Sequence, residues 1–403
     1  MSSVDWMPEL AAALDSLVPP SEGSRADWDD VVTRVGVRRP LFTRRRRKFR
    51  GRRLAIVVAL IFLLLTGVAT ATYLLVRGNG SLAFQGSHGN LLILGRHGLH
   101  TVARCPGDGS GCAIREAAWS PDGSRIAFLR ARYFGHAKTQ TVLYVAPAHG
   151  GRLRRLASCG FCGDQYGARL GWSPDGRWIA FSRDSGAMGQ ESLWIVAATG
   201  GKLHRVTDCH TSCADVRPTW SPNGRLLLFD HIAPAPASAG LYTVHRDGSD
   251  LTRVAPGGAD PEWSPDGRRI AFDTAPDRIA VVDADGSDLR VLFAGGPGTG
   301  PGVPSWSPDG RKLVFFKTPG RPHHFVAEVW TMNADGSGKK RLYRSGCCVG
   351  EWAPPVWSPD GMQIAFSADS AGGTFVMNTD GSGLRRVSPN PSSSLSWQKR
   401  PSP

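Results

Sequence analysis

The chain has 403 residues, with 48 Lys and Arg against 34 Asp and Glu, a formal net charge of +14. Eight of the basic residues stand together just before an uncharged apolar stretch, so this cluster reads as a topology signal facing lipid head groups and argues against a nucleic-acid surface. The repeats described below take up so much of the chain that no residues remain for a separate α/β catalytic domain.

Residues 1–43 are too few for an independent core. They offer two candidate amphipathic pieces. Trp6–Leu17 places Leu10, Leu14 and Leu17 at helical spacing before Pro19-Pro20, and Asp27–Val35 is acidic at its start with Arg34 late, as a helix dipole prefers. Such pieces suit a cytoplasmic partner or the membrane surface, and a disordered segment fits them equally well. Residues 44–53 form the basic run, Arg44 to Lys48 with Arg50, Arg52 and Arg53. Residues 54–76 follow as 23 uncharged residues rich in Leu, Ile, Val and Ala, long enough to cross a bilayer as one helix. The 53 residues before this span argue against a cleaved signal peptide. With the basic flank inside, the expectation is a single-pass cell-membrane protein, N-terminus cytoplasmic and residues 77–403 extracytoplasmic.

From there the pattern Trp-Ser-Pro-Asp-Gly recurs at Trp119, Trp172, Trp220 (with Asn223 in place of Asp), Trp263, Trp306 and Trp357. Spacings of roughly 40 to 53 residues are those of a solenoid or propeller. Ser, Pro, Asp and Gly suit the four positions of a type I turn, so each tetrapeptide is a hairpin corner. A short strand follows, such as Ile126-Ala127-Phe128 or Ile270-Ala271-Phe272. A third strand then ends in an apparent two-residue turn, such as Asp285-Gly286 or Asp335-Gly336, and a basic fourth strand leaves. Four antiparallel strands per unit predict an all-β propeller. The second-strand signal occurs once more than the corner, at Leu82-Ala83-Phe84, while Ser394-Leu395-Ser396-Trp397 looks like an isolated first strand. Seven blades follow, the strand near Trp397 completing the first.

The eight cysteines fall in local pairs between successive units: Cys105 with Cys112, Cys159 with Cys162, Cys209 with Cys213, and Cys347 beside Cys348. Even number and local pairing in an exported domain predict disulfides, the adjacent pair being strained if bridged. A zinc site at Cys209, His210 and Cys213 would lack a fourth ligand, and Cys159 to Cys162 lacks the βαβ setting of a redox motif.

These repeats resemble the TolB-type, WD-like propeller repeat, with Trp263 to Leu292 matching its W-S-P-D-G, I-A-F, D-A-D-G and basic-strand order. The resemblance covers roughly residues 80 to 400. It implies a propeller and leaves the task open, since that family includes envelope scaffolds that bind proteins and related propellers serve peptidases. No G-x-S-x-G nucleophile elbow is present. Asp283 to Ser287 lacks the further ligands of a calcium loop, and the Ser-Pro-Asp-Gly corner lacks the glycine spacing of a sialidase Asp-box.

The functional expectation is a membrane-tethered, non-enzymatic platform without cofactor or metal. It would bind a protein or an acidic envelope polymer through the loops Cys105–Arg115, Ser158–Arg169, Ala233–Ala239 and Arg344–Pro355. Residues 1–77 hold 13 basic and 7 acidic residues and the remainder 35 and 27, a +8 surplus largely on the fourth strands. Charge that protects solvated strand edges accounts for it, and contact with an acidic polymer is the sharper reading. A propeller hydrolase or lyase would need His, Asp or Glu converging at the channel mouth; His136, Asp164, His210, Asp215, Asp260, Glu262 and Glu351 lie near loops without a spacing that groups them. A single-pass sensor coupling an external ligand to residues 1–43 is a third reading.

Overall fold

The computed structural model describes residues 80–398 apart from 87–88, 97, 106–110, 135–137, 160–168, 185–189, 210–212, 235–237, 275–276, 296–300, 318–327, 346–353, 369–372 and 393. All of these belong to the second of two compact units, Leu65–Pro403. The expected cytoplasmic segment 1–43, basic run 44–53 and span 54–76 lie outside the described residues, among which no helix is long and apolar enough to cross a membrane.

The described residues are all β. Their 28 strands form five four-stranded sheets and one sheet of eight. The larger sheet is two four-stranded antiparallel meanders, residues 171–205 and 214–256, joined by one parallel pair, Glu191 with Ala214. Within each unit the strands follow chain order, with one exception. The last strand of the chain, Leu395–Trp397, is the outer member of the sheet formed by residues 82–103, pairing Leu82 with Trp397, Ala83 with Ser396 and Phe84 with Leu395.

Local chemistry explains the repeated hairpins. In the corner Ser264–Gly267 the Gly N–H donates to the Ser carbonyl at 2.8 Å, and the Ser264 hydroxyl donates to Asp266 at 2.6 Å. The same hydroxyl accepts the N–H of Arg269, which starts the second strand. The Asp266 carboxyl is thereby held below its usual range, chiefly by that hydroxyl. The turn between third and fourth strands differs from the two-residue loop expected. Gly286 N–H donates to Asp283 O and Asp283 N–H to Ser287 O, so glycine closes a type I turn as its fourth member at φ +86° and starts a bulge. Asp285 accepts both the N–H and the hydroxyl of Ser287, which gives it a turn-holding role in place of a calcium ligand's.

Units pack through apolar clusters shared between neighbours. Leu228 and Leu241 meet Trp263, Ile270 and Phe272 of the next unit, and Leu82, Phe84 and Leu395 meet Ala365 and Val376. Each fully buried Leu or Phe contributes about 1.5–3 kcal/mol. A chain of indole bonds runs beside these clusters. Trp172 Nε1 donates to Ala118 O, Trp220 to Gly171 O, Trp306 to Glu262 O and Trp357 to Ser305 O. Every acceptor immediately precedes the tryptophan of the unit before, and Trp119 continues the series onto Ser396 O. The indole N–H groups of Trp263 and Trp397 are buried without a partner among the described residues.

Candidate functional site

The position three residues before each repeat tryptophan carries Glu116, Arg169, Arg217, Asp260, Val303, Pro354 and Ser394 in turn. In four units the first strand bulges here. Pairing skips from Arg115 to Ala117, Val216 to Thr219, Ala259 to Glu262 and Gly302 to Ser305. Three of the skips include a proline, Pro218, Pro261 or Pro304, which has no N–H for the ladder. The residues at the bulges take positive φ without being glycine: Glu116 43°, Arg217 54°, Asp260 50° and Val303 52°. Such strain persists only where the surroundings hold it, and it re-aims the side chain out of the strand's regular alternation.

These charges converge. Arg217 Nη1 lies 2.7 Å from Asp230 Oδ2, and Arg217 Nε lies 3.0 Å from Asp260 Oδ1. The Asp260 N–H donates to Asp230 Oδ2 at 3.2 Å. Arg169 reaches past the intervening unit and donates from Nη1 to Pro261 O at 2.9 Å. Asp230 and Asp273 hold the same register in successive units, one residue beyond the second-strand Phe229 and Phe272.

Arg217 is one cation shared among several carboxylates, and burial outweighs its pull on them. Burial, with Asp260 nearby, pushes Asp230 up to about 7 despite the opposing pull of Arg217. Burial and repulsion from Asp260 and Asp230 carry Asp273 to about 7 as well. Glu116 also rises to about 7, through burial and Asp260, against Arg169 and Arg217. The protons so held belong to the cluster as a whole. The Asp230 side chain is 2% exposed, and its Oδ1, like Asp273 Oδ1, has no hydrogen-bond partner among the described residues. The charged cluster, or well, thus keeps two buried carboxylate oxygens without a hydrogen-bond partner among the described residues.

A second pair lies nearby in sequence. Asp215, buried at the start of the first strand 214–220, holds His231 Nδ1 at 2.6 Å, and Tyr242 meets the His231 ring edge-on at 5.3 Å. Of the residues expected near loops, Asp215 and Asp260 enter these clusters, and Glu262 faces the Ser305 hydroxyl at 3.4 Å. His136, Asp164, His210 and Glu351 lie outside the described residues. The sequence reading missed Glu116, Arg169, Arg217, Asp230, Asp273 and His231. Its available signal was a charge at a fixed distance from the tryptophan or phenylalanine of the repeat, often before proline. No group of His, Cys, Asp or Glu among the described residues is arranged to hold a metal ion.

Two disulfides, Cys105–Cys112 and Cys209–Cys213, tie connections between successive units, each with Cα atoms 5.7 Å apart. The side chain of Cys159, and Cys162, Cys347 and Cys348 altogether, lie outside the described residues, as does most of the expected loop surface. The repeat tryptophans Trp119, Trp172, Trp220, Trp263, Trp306 and Trp357 are buried, while Trp397 is partly exposed.

A family model described as the TolB beta propeller domain matches residues 114–347. No curated protein sequence matches the chain. Among solved structures, a prolyl endopeptidase matches with TM-score 0.56 and 14% identity over 79% of this chain and 51% of its own. Oligogalacturonate lyase from Vibrio parahaemolyticus matches with TM-score 0.52 and 13% identity over 77% of this chain and 86% of its own. A candidate TolB from Agrobacterium tumefaciens matches with TM-score 0.48 and 23% identity over 70% and 95%.

Proposed function

The chain belongs to the TolB β-propeller family, and from that premise we propose that it is a membrane-tethered, extracytoplasmic binding platform. Residues 54–76 anchor it, residues 77–403 form a seven-bladed ring, and the bulged first strands present their charged well to a protein or envelope polymer. The observation that carries this reading is the convergence of Glu116, Arg169, Arg217, Asp230 and Asp260 from different units, with Asp230 Oδ1 buried and unused. Burying these charges in strained backbone costs stability, and a cluster that ties units together while leaving a buried carboxylate oxygen unpaired suits a site that also serves a ligand. The test is capture of envelope components by the full chain in detergent. Wild-type protein retains a discrete partner that Asp260→Asn and Arg169→Gln release; identical retention by all three proteins contradicts the reading.

One observation favours a catalytic alternative: the Asp215–His231 pair is the arrangement that orients an imidazole for proton transfer. The chain's neighbours in fold include a lyase and a peptidase. A turnover of acidic oligosaccharides or peptides that disappears in His231→Gln would establish it, and equal turnover in both proteins would remove it.

A further inference from the structure

Three arginines meet at one cleft of about 200 Å³ in the unit that begins with Trp119, lined by Arg130, Arg132, Gln140, Val142, Tyr144 and Arg155. We propose that this cleft is an oxyanion site, taking a phosphate or carboxylate group, separate from the charged well and independent of its role.

The argument rests on comparing units. Opposite the third-strand aromatic, the fourth strand repeatedly carries an arginine: Arg155 faces Tyr144, Arg205 faces Trp194 and Arg341 faces Trp330. On the other side the second strand supplies a cation over the same ring, Arg130 over Tyr144 at 4.4 Å, Arg183 over Trp194 at 5.0 Å and Lys317 over Trp330 at 5.2 Å. Cation, aromatic ring and arginine are thus a device of the fold, and by themselves mean packing.

The units differ in how the fourth-strand arginine is neutralised. Arg341 is bonded to Glu328 at 3.0 Å, two residues before Trp330, and Arg205 to Asp208 at 2.6 Å. In the cleft's unit the residue two before Tyr144 is Val142, and Arg155 has no carboxylate partner among the described residues. A third arginine is added where the hairpin is longest. Its strands Arg125–Phe134 and Lys138–Pro147 have 10 residues each, and Arg132 faces Gln140 within that hairpin. Arg132 Nε is buried with no hydrogen-bond partner among the described residues. Arg130 donates to the Tyr144 hydroxyl at 2.6 Å and has no carboxylate partner among the described residues.

Three guanidinium groups with no acid beside them among the described residues repel one another and leave forked donors unused. A planar or tetrahedral oxyanion meets both demands, since guanidinium forks match carboxylate and phosphate geometry. Gln140 adds a neutral amide donor to the lining.

Full-length protein in detergent would be titrated at low salt with sodium polyphosphate, polygalacturonate and neutral dextran, with inorganic phosphate as competitor. The expected result is binding of at least one polyanion and none of dextran, weakened about tenfold or more by Arg132→Gln with Arg155→Gln. Arg341→Gln, whose guanidinium already has Glu328, leaves the affinity unchanged. Competition by inorganic phosphate identifies phosphate as the preferred group, whereas binding of polygalacturonate alone identifies carboxylate. Should the double Gln variant fail to fold, Arg132→Lys with Arg155→Lys keeps the charge, loses the forks and still weakens binding severalfold. Equal affinity in wild-type and folded variants, or no binding of either polyanion, overturns the proposal.

Discussion

The indole N–H of Trp119 donates to the carbonyl of Ser396 at 3.1 Å, across 277 positions of sequence. The same bond links each of four further repeat tryptophans to the unit before it. The chain's last strand therefore occupies the place that a preceding unit occupies elsewhere. Trp119→Phe, which removes the donor and keeps most of the packing, should cost about 1 kcal/mol in urea unfolding. Trp119→Ala should cost about 3–5 kcal/mol. Removing residues 394–403 should lower the midpoint of the whole β domain in a single transition, because Leu395 packs with Leu82, Phe84, Ala365 and Val376.

Arg217 neutralises carboxylates from two units, so its loss should cost more than a surface charge would. Arg217→Met should destabilise the domain by about 3–5 kcal/mol near pH 8, where Asp230 is ionised and left buried beside Asp260 without its cation. The deficit should shrink near pH 5.5, where the cluster holds protons. Denaturant titrations at the two pH values check this.

The same groups set a pH dependence. Asp230, Asp273 and Glu116 keep a proton up to about 7 when folded, against 3.8 or 4.5 for the ordinary carboxyl. The folded state thus binds more protons between those limits. Their contribution to stability is complete below the ordinary values and is lost as pH rises through about 7. The corner aspartates Asp122 and Asp266 act in the opposite sense, their contribution present above 3.8 and lost as pH falls below it. The melting temperature should accordingly fall from about pH 5.5 to about pH 8, and Asp230→Asn with Asp273→Asn should flatten that slope.

The Cys209–Cys213 bridge closes a loop of few residues between units, which in the chain-entropy model stabilises by about 2 kcal/mol. Cys209→Ser with Cys213→Ser should reproduce the shift that a reductant causes at this bridge, read as the difference in urea midpoint between oxidised wild-type and variant.

Membrane topology has its own check. Reporter fusions after residue 43 and after residue 403 should show the first end inside and the second outside the membrane, as the basic run from Arg44 to Arg53 directs. An interior C-terminal reporter would remove the extracytoplasmic reading.

The strands were legible because the repeat writes its own local chemistry. Ser264, Asp266 and Gly267 act on atoms two to five residues away, and the apolar second strand that follows cannot be packed otherwise than against a neighbour. The third-to-fourth strand turn was misread by one position because Asp285-Gly286 suits both a two-residue loop and the end of a type I turn. The register of the bulge at Ser287 decides between them, and that lies in backbone pairing. The charged well was missed for a different reason. Arg169 and Pro261 are 92 positions apart, and Glu116 and Asp260 come from units that are not consecutive, so spacing alone carries no sign of their meeting. The Arg217-Pro218 and Asp260-Pro261 steps were visible, and with the bulge recognised they would have placed two members of the cluster at one level.

A photoreactive residue at Val303 tests the platform most directly, since Val303 shares the bulge position of Arg217 and Asp260 without belonging to the ion pairs. Irradiation of intact membranes should give a discrete adduct from Val303 and none from Leu251, an exposed residue on the rim between strands. Adducts of equal yield at both positions, or at neither, would contradict a ligand seated in the well.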